Sequence, residues 1–326
     1  MRSSQVLVLA ICGCGGHGVN IVDAHATDGH PDDSIASRVD APNDAPSDAS
    51  APSWSPQSTV PQYLAGIWGS SSSDIYVVGN ERSVYHSTGS TWTAEASGIA
   101  DGLSLESVWG SGAGDVYIGG DGGVILHSTG NGIWSQQSSG TLFSLTGLWG
   151  SDPTDIFAVG GQTILHSTGD GSWVAQTTTT PANVLAIWGS SASDVYAVGL
   201  GGTILHSTGN GTWTQQATGT TQDLRAVWGS SAGDIYAVGA SVALHSTGNG
   251  TWTAQPISGS PDLEGMWGSG GTDVYAVGFV EIAHTTGGGW NSTATSASLL
   301  AVWGTGPADV YAVGNNGSTG VVLHHP

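Results

Sequence analysis

Seven histidines and seven aspartates recur in step along this chain, and both residue types can do chemistry. His86, His127, His166, His206, His245, His284 and His324, mostly within Leu-His-Ser-Thr-Gly, have the identity of a metal-ligand set. Asp74, Asp115, Asp155, Asp194, Asp234, Asp273 and Asp309 have the identity of the carboxylate pairs that cleave glycosidic bonds. Their regular spacing argues against both roles. A residue that returns in every repeat cannot single out one site, and equivalent positions on separate repeats lie too far apart to share an ion at about 2.0–2.1 Å. Each aspartate follows a Ser/Gly-rich turn such as Gly189-Ser190-Ser191-Ala192-Ser193, where it is expected to accept backbone N–H bonds. The chain has no Asp-x-Asp-x-Asp-Gly calcium loop, and the nucleophile elbow, phosphate loop and His-Glu-x-x-His motif are also missing. No catalytic residue, metal or cofactor is assigned.

The elements that carry these residues are set out by tryptophan. All 14 tryptophans fall into two interleaved series with a period of about 40 residues, the mark of a repeat architecture. Trp68, Trp109, Trp149, Trp188, Trp228, Trp267 and Trp303 are each followed by glycine. The second series is Trp92, Trp134, Trp173, Trp213, Trp252 and Trp290, with Trp54 ahead of the first Trp-Gly and no member after the last. One repeat is therefore split between the start and the end of the repeat region.

Within the fourth repeat, Val184 to Trp188, Val195 to Val198, Thr203 to His206 and Thr212 to Gln215 are strand-length apolar or β-branched runs between turn residues. Gly209-Asn210-Gly211 supplies residues that accept positive φ in a tight hairpin. Each repeat is thus expected to be a four-stranded antiparallel meander. Such a sheet cannot bury both faces alone, and radial packing solves the problem. The sequence predicts an all-β, seven-bladed β-propeller, with the N-terminal strand at Trp54 completing the last blade so that no edge is left unpaired. The tryptophans are assigned to the core, since each buries about 150–250 Å². By analogy with WD-repeat propellers, Asp194, His206 and Ser207 are expected to form a hydrogen-bonded unit tying turn to strand.

The series Leu-x-x-Ile/Val-Trp-Gly, Asp-Val-Tyr-Ala-Val-Gly, Gly-Thr-Ile-Leu-His-Ser-Thr and Gly-x-Trp resembles the propellers of the photosystem II assembly-factor type and the wider Asp-box (BNR) superfamily. The Asp-box itself is degenerate: Ser207-Thr208-Gly209-Asn210-Gly211-Thr212-Trp213 lacks the acidic third residue and is one residue short. The resemblance implies the fold more than an activity, because the group includes glycosidases, lectins and assembly factors.

Residues 1–16 read as an export signal, with Arg2 followed by the apolar run Val6 to Ile11. Ile11-Cys12-Gly13-Cys14 resembles a bacterial lipobox, which implies Cys14 as the lipidated residue; an ordinary cleaved signal is the alternative. Residues 17–52 are rich in Asp, Ala, Pro and Ser and read as a disordered tether, and residues 53–326 hold the propeller. The expected location is the outer membrane or cell surface, with secretion as the alternative, and the lipid anchor as the only membrane attachment.

All four basic residues are arginines, and the net charge is −21, which repels phosphate backbones and anionic head groups. Nucleic acid is excluded as a partner. If recurrence marks structure, function lies where repeats differ, in the loops between second and third strands and between successive repeats. Glu81, Arg82, Asp121, Phe143, Asp223, Arg225, Phe279 and Glu281 are the ligand-binding candidates, all expected on one face. The expected function is a monomeric, non-enzymatic module that binds a protein or carbohydrate ligand. The alternative is a glycoside hydrolase using two of Glu81, Asp121, Asp223, Glu264 and Glu281.

Overall fold

The computed structural model describes residues 53–89, 91–259 and 261–326. The expected signal segment, Cys14 and the tether lie outside the described residues. Repeat four shows how the sequence makes a sheet. Val184–Ser191, Asp194–Gly199, Thr203–Ser207 and Thr212–Gln215 pair in order as an antiparallel meander. Gly209 and Gly211, at φ 79° and 78°, turn the chain between the last two strands. The register sets Trp188 opposite Tyr196, Tyr196 opposite His206, and His206 opposite Thr214. The recurring Trp, Tyr and His therefore form one row across the sheet. The second strand is buried from Val195 through Gly199 without alternation, because both of its faces are covered.

The expectation of seven separate four-stranded blades is corrected by the sheet arrangement, which shows six blades. Asn291–Gly306 is one continuous strand that serves as the outer strand of the sixth repeat and the inner strand of the seventh. The two repeats consequently share a single six-stranded sheet, while the other sheets have four or five strands. Ser55–Val60 pairs antiparallel with Gly320–His325 at the edge of the shared sheet. Just ahead of that strand, Trp54 stands edge-on to Tyr275 with ring centroids 5.9 Å apart, as Trp252 does to Tyr196 at 6.1 Å.

The Trp-Gly pair is an interlock between repeats. A Cβ added at Gly189 would lie 2.6 Å from the ring of Trp149 in the preceding repeat. The same relation joins the last repeat to the first, where a Cβ on Gly69 would lie 2.7 Å from Trp303. Only glycine admits an indole at this distance. The inner strands surround a central channel of about 220 Å³, whose lining includes Ala65, Glu106, Thr146, Leu185, Arg225, Glu264 and Leu300.

Candidate functional site: the loop face and the channel mouth

The recurrent acids and imidazoles form seven copies of one structural unit. In repeat four, Ser190 Oγ donates to Asp194 Oδ2 at 2.6 Å, His206 Nε2 lies 2.8 Å from Asp194 Oδ1, and the imidazole packs on Tyr196 at 4.4 Å. The aspartate therefore accepts from a side-chain hydroxyl and an imidazole, rather than from the backbone amides expected of it. Ser207 stands outside the unit, and its Oγ accepts from Gly209 N at 3.3 Å. Burial, then the charge and hydrogen bond of the neighbouring aspartate, pushes Tyr117 up to about 12.

The loops that break the repeat pattern do share one face. In repeat one, Asn80 N donates to Tyr63 O at 3.0 Å, which ties the loop after the second strand to the entry of the inner strand. The same bond recurs as Asp121 to Ser104, Leu200 to Asn183, Ala240 to Asp223 and Phe279 to Asp262. The backbones run so close here that a Cβ on Gly79 would lie 1.8 Å from Tyr63 O, which accounts for the recurring Val-Gly that ends the second strand. The candidates from repeats one to six thus sit around one rim.

Their roles on that rim differ. Arg82 reaches Asp101 at 2.5 Å and donates to Ile99 O at 3.1 Å. Asp121 is a staple: it accepts from Ser104 N at 3.0 Å and from Ser144 Oγ at 2.7 Å, joining the second repeat to the third. Asp223 accepts from Gly201 N at 2.8 Å. Phe143 lies over Gly161, where an added Cβ would meet its ring at 2.6 Å, and its outer side remains in solvent. Glu281 is held above the usual carboxylate range by burial, against a hydrogen bond from Ser292; its Oε1 is buried without a partner among the described residues.

Arg225, Asp262 and Glu264 are brought together at the channel mouth. The guanidinium donates to Asp262 and, at 2.6 Å, to Glu264 Oε1. Burial pushes Glu264 up while the arginine draws it down; the net result is upward. Glu106, at the equivalent inner-strand position of repeat two, was not among the candidates. Burial raises it, and the charge of Asp121 adds to the effect. Its signal was available, because Glu106, Arg225 and Glu264 each stand one residue into an inner strand where other repeats carry Ala65, Leu185 or Leu300.

Two further features mark this face. Among the described residues, eight large apolar side chains are exposed: Tyr63, Ile133, Leu142, Phe143, Val174, Leu200, Phe279 and Val280. All but Ile133 and Val174 belong to the loop face. The loops after the second strands also require positive φ, which glycine supplies at Gly122, Gly161 and Gly201. Glu81, Arg82, Ser241 and Val280 adopt it without being glycine, at φ 52°, 56°, 57° and 52°. For β-branched Val280 this is a strained conformation.

No family model and no curated protein matches this chain. Solved structures do. YCF48 bound to a D1 peptide aligns at a TM-score of 0.69 and 15% identity, covering 83% of this chain and 96% of that one. YCF48 from Cyanidioschyzon merolae aligns at 0.67 and 17% identity, covering 83% and 98%. The WD40 propeller domain of Doa1 aligns at 0.70 and 14% identity, covering 83% and 97%. At these identities the likeness speaks for the fold alone. Together with the repeats, the interlocked tryptophans and the radial sheets, it identifies the chain as a β-propeller protein.

Proposed function

We propose that this protein is a non-enzymatic interaction module whose loop face, centred on the channel mouth, binds a partner polypeptide. The observation that carries this reading is the gathering of Tyr63, Leu142, Phe143, Leu200, Phe279 and Val280 on one face. Exposed apolar side chains scattered singly are ordinary, whereas a set collected on one face and rimmed by charge is the composition of a docking surface. The surrounding carboxylates of Asp101, Asp121, Asp223 and Asp262 give that surface a negative rim and select a partner with basic and aromatic side chains. Strain retained at Val280 supports the same reading, since a glycine there would relieve it and remove an exposed apolar group. The D1 peptide bound to YCF48 offers a precedent for a peptide ligand on this fold. The Asp-box likeness, export, and anchoring through Cys14 on the tether of residues 17–52 belong to this proposal as the means of presenting the face.

The test is selection of displayed random peptides on the full chain, run beside a glycan array. Enrichment of basic, aromatic peptides that compete for one site supports the proposal. Oligosaccharide binding followed by cleavage, with no peptide enriched, overturns it in favour of the hydrolase.

A further inference from the structure

We propose that the cleft between the sixth and seventh repeats is a separate binding site for a small neutral or cationic aromatic molecule. It lies at the outer side of the shared sheet, between strands of the two repeats, and does not depend on the loop-face reading. Its volume is about 580 Å³, within the range of about 300–1,000 Å³ typical of small-molecule sites. Trp54, Tyr275, Ile282, Leu323 and the imidazoles of His284 and His325 are among the residues that line it.

Two departures from the repeat pattern open the cleft. At three other junctions the outer-strand tryptophan donates its indole N–H to a long side chain of the preceding repeat: Trp134 to Glu95, Trp173 to Gln137 and Trp252 to Gln216, each at 2.8 Å. Those acceptors stand three residues after their own repeat's tryptophan. The same position is Gln57, Gln176 and Gln255 elsewhere, but Thr293 in repeat six. Threonine is shorter than glutamine, so the volume that a glutamine would fill remains open, and among the described residues Trp54 lacks the acceptor that Trp134, Trp173 and Trp252 have; Trp213 and Trp290 are also without one, although Gln176 and Gln255 occupy the position.

The second departure is His325. It occupies the position of Ser87, Ser128, Ser167, Ser207 and Ser246, whose hydroxyls each accept from a backbone amide two residues on. The imidazole instead turns to Trp54, with ring centroids 5.3 Å apart, and its Nδ1 is buried without a partner among the described residues. A buried ring nitrogen left unpaired is costly, and a bound molecule would satisfy it. Aromatic walls favour a planar ring and tolerate positive charge on it. The net charge of −21 disfavours an anion.

The test uses the full chain and the neutral fluorophore N-phenyl-1-naphthylamine. Saturable binding of one equivalent is expected. Thr293→Gln, which installs the residue of the other repeats, should weaken it about tenfold or more while leaving Tm equal or higher. Phe143→Ser, on the loop face, should leave it unchanged. If T293Q lowers Tm, His325→Ser supplies the same test through loss of the polar partner. Absence of saturable binding, unchanged affinity in T293Q and H325S, or loss of affinity in F143S overturns the proposal.

Discussion

Removing the guanidinium of Arg225 is the sharpest perturbation of the channel mouth. In Arg225→Ala, Glu264 loses a hydrogen bond of 2.6 Å and its counter-charge, and Asp262 loses its partner as well. The side chains of Arg225 and Glu264 are 23% and 22% exposed, so solvent recovers part of the loss. Breaking a fully buried pair costs about 3–5 kcal/mol and a surface pair at most about 1 kcal/mol. An intermediate cost of about 2 kcal/mol follows, a fall in Tm of roughly 4–8 °C for a domain of this size. Adding Glu264→Gln removes the stranded charge and should return about half of the deficit.

The pH dependence of that deficit has a definite sign. Without the arginine, the folded pKa of Glu264 rises further above its unfolded value, and a raised carboxyl regains stability as pH falls through it. The deficit should therefore narrow as pH falls from neutral toward the ordinary glutamate pKa of about 4.3. Thermal unfolding of wild type, R225A, E264Q and the double variant across that range is the assay. A deficit that is constant with pH, or costs that simply add in the double variant, would refute the reasoning.

Three other outcomes follow from the structure. Val280→Gly relieves a β-branched residue at φ 52° and should raise stability by about 1 kcal/mol while weakening peptide binding, as measured by unfolding and titration of one protein. Glu106→Gln should raise Tm by a few degrees at neutral pH and leave it unchanged near about pH 4, because a raised folded pKa contributes stability that is lost as pH rises through it. His206→Ala leaves Asp194 with one donor fewer and removes the packing on Tyr196, so denaturant unfolding should show a loss of about 2–3 kcal/mol.

The repeat framework was legible because tryptophan, aspartate and histidine each occupy one fixed place in a meander, and the period of their recurrence is the period of the sheet. Trp54, standing ahead of the first Trp-Gly, pointed to the strand that pairs with Gly320–His325. The fusion of the last two repeats is only faintly marked in the sequence. Its signal is the step from Trp267 to Trp303, the shortest in the chain, where Asn291–Gly306 passes from one repeat to the next as a single strand. Partner identities within the Ser–Asp–His unit were also out of reach, since Ser190 and Ser207 are both near Asp194 in sequence and only register separates them.

The shared face of the variable loops followed from strand order, but which loop residues act as staples did not. Asp121 and Asp223 look like free acids in sequence, and both are committed to neighbouring backbone amides. Glu106 shares its place one residue into an inner strand with Arg225 and Glu264, but only the channel, assembled from all the inner strands, gathers the three into one lining.

The central claim is that the loop face binds a polypeptide, and calorimetric titration of a display-selected peptide into paired variants tests it most directly. Phe143→Ser combined with Phe279→Ser should weaken binding at least about tenfold, as loss of anchor residues does, with Tm lowered by no more than a few degrees because each ring is about half exposed. T293Q should bind as wild type. Equal affinity in the loop-face double variant, or a loss confined to T293Q, would contradict the account.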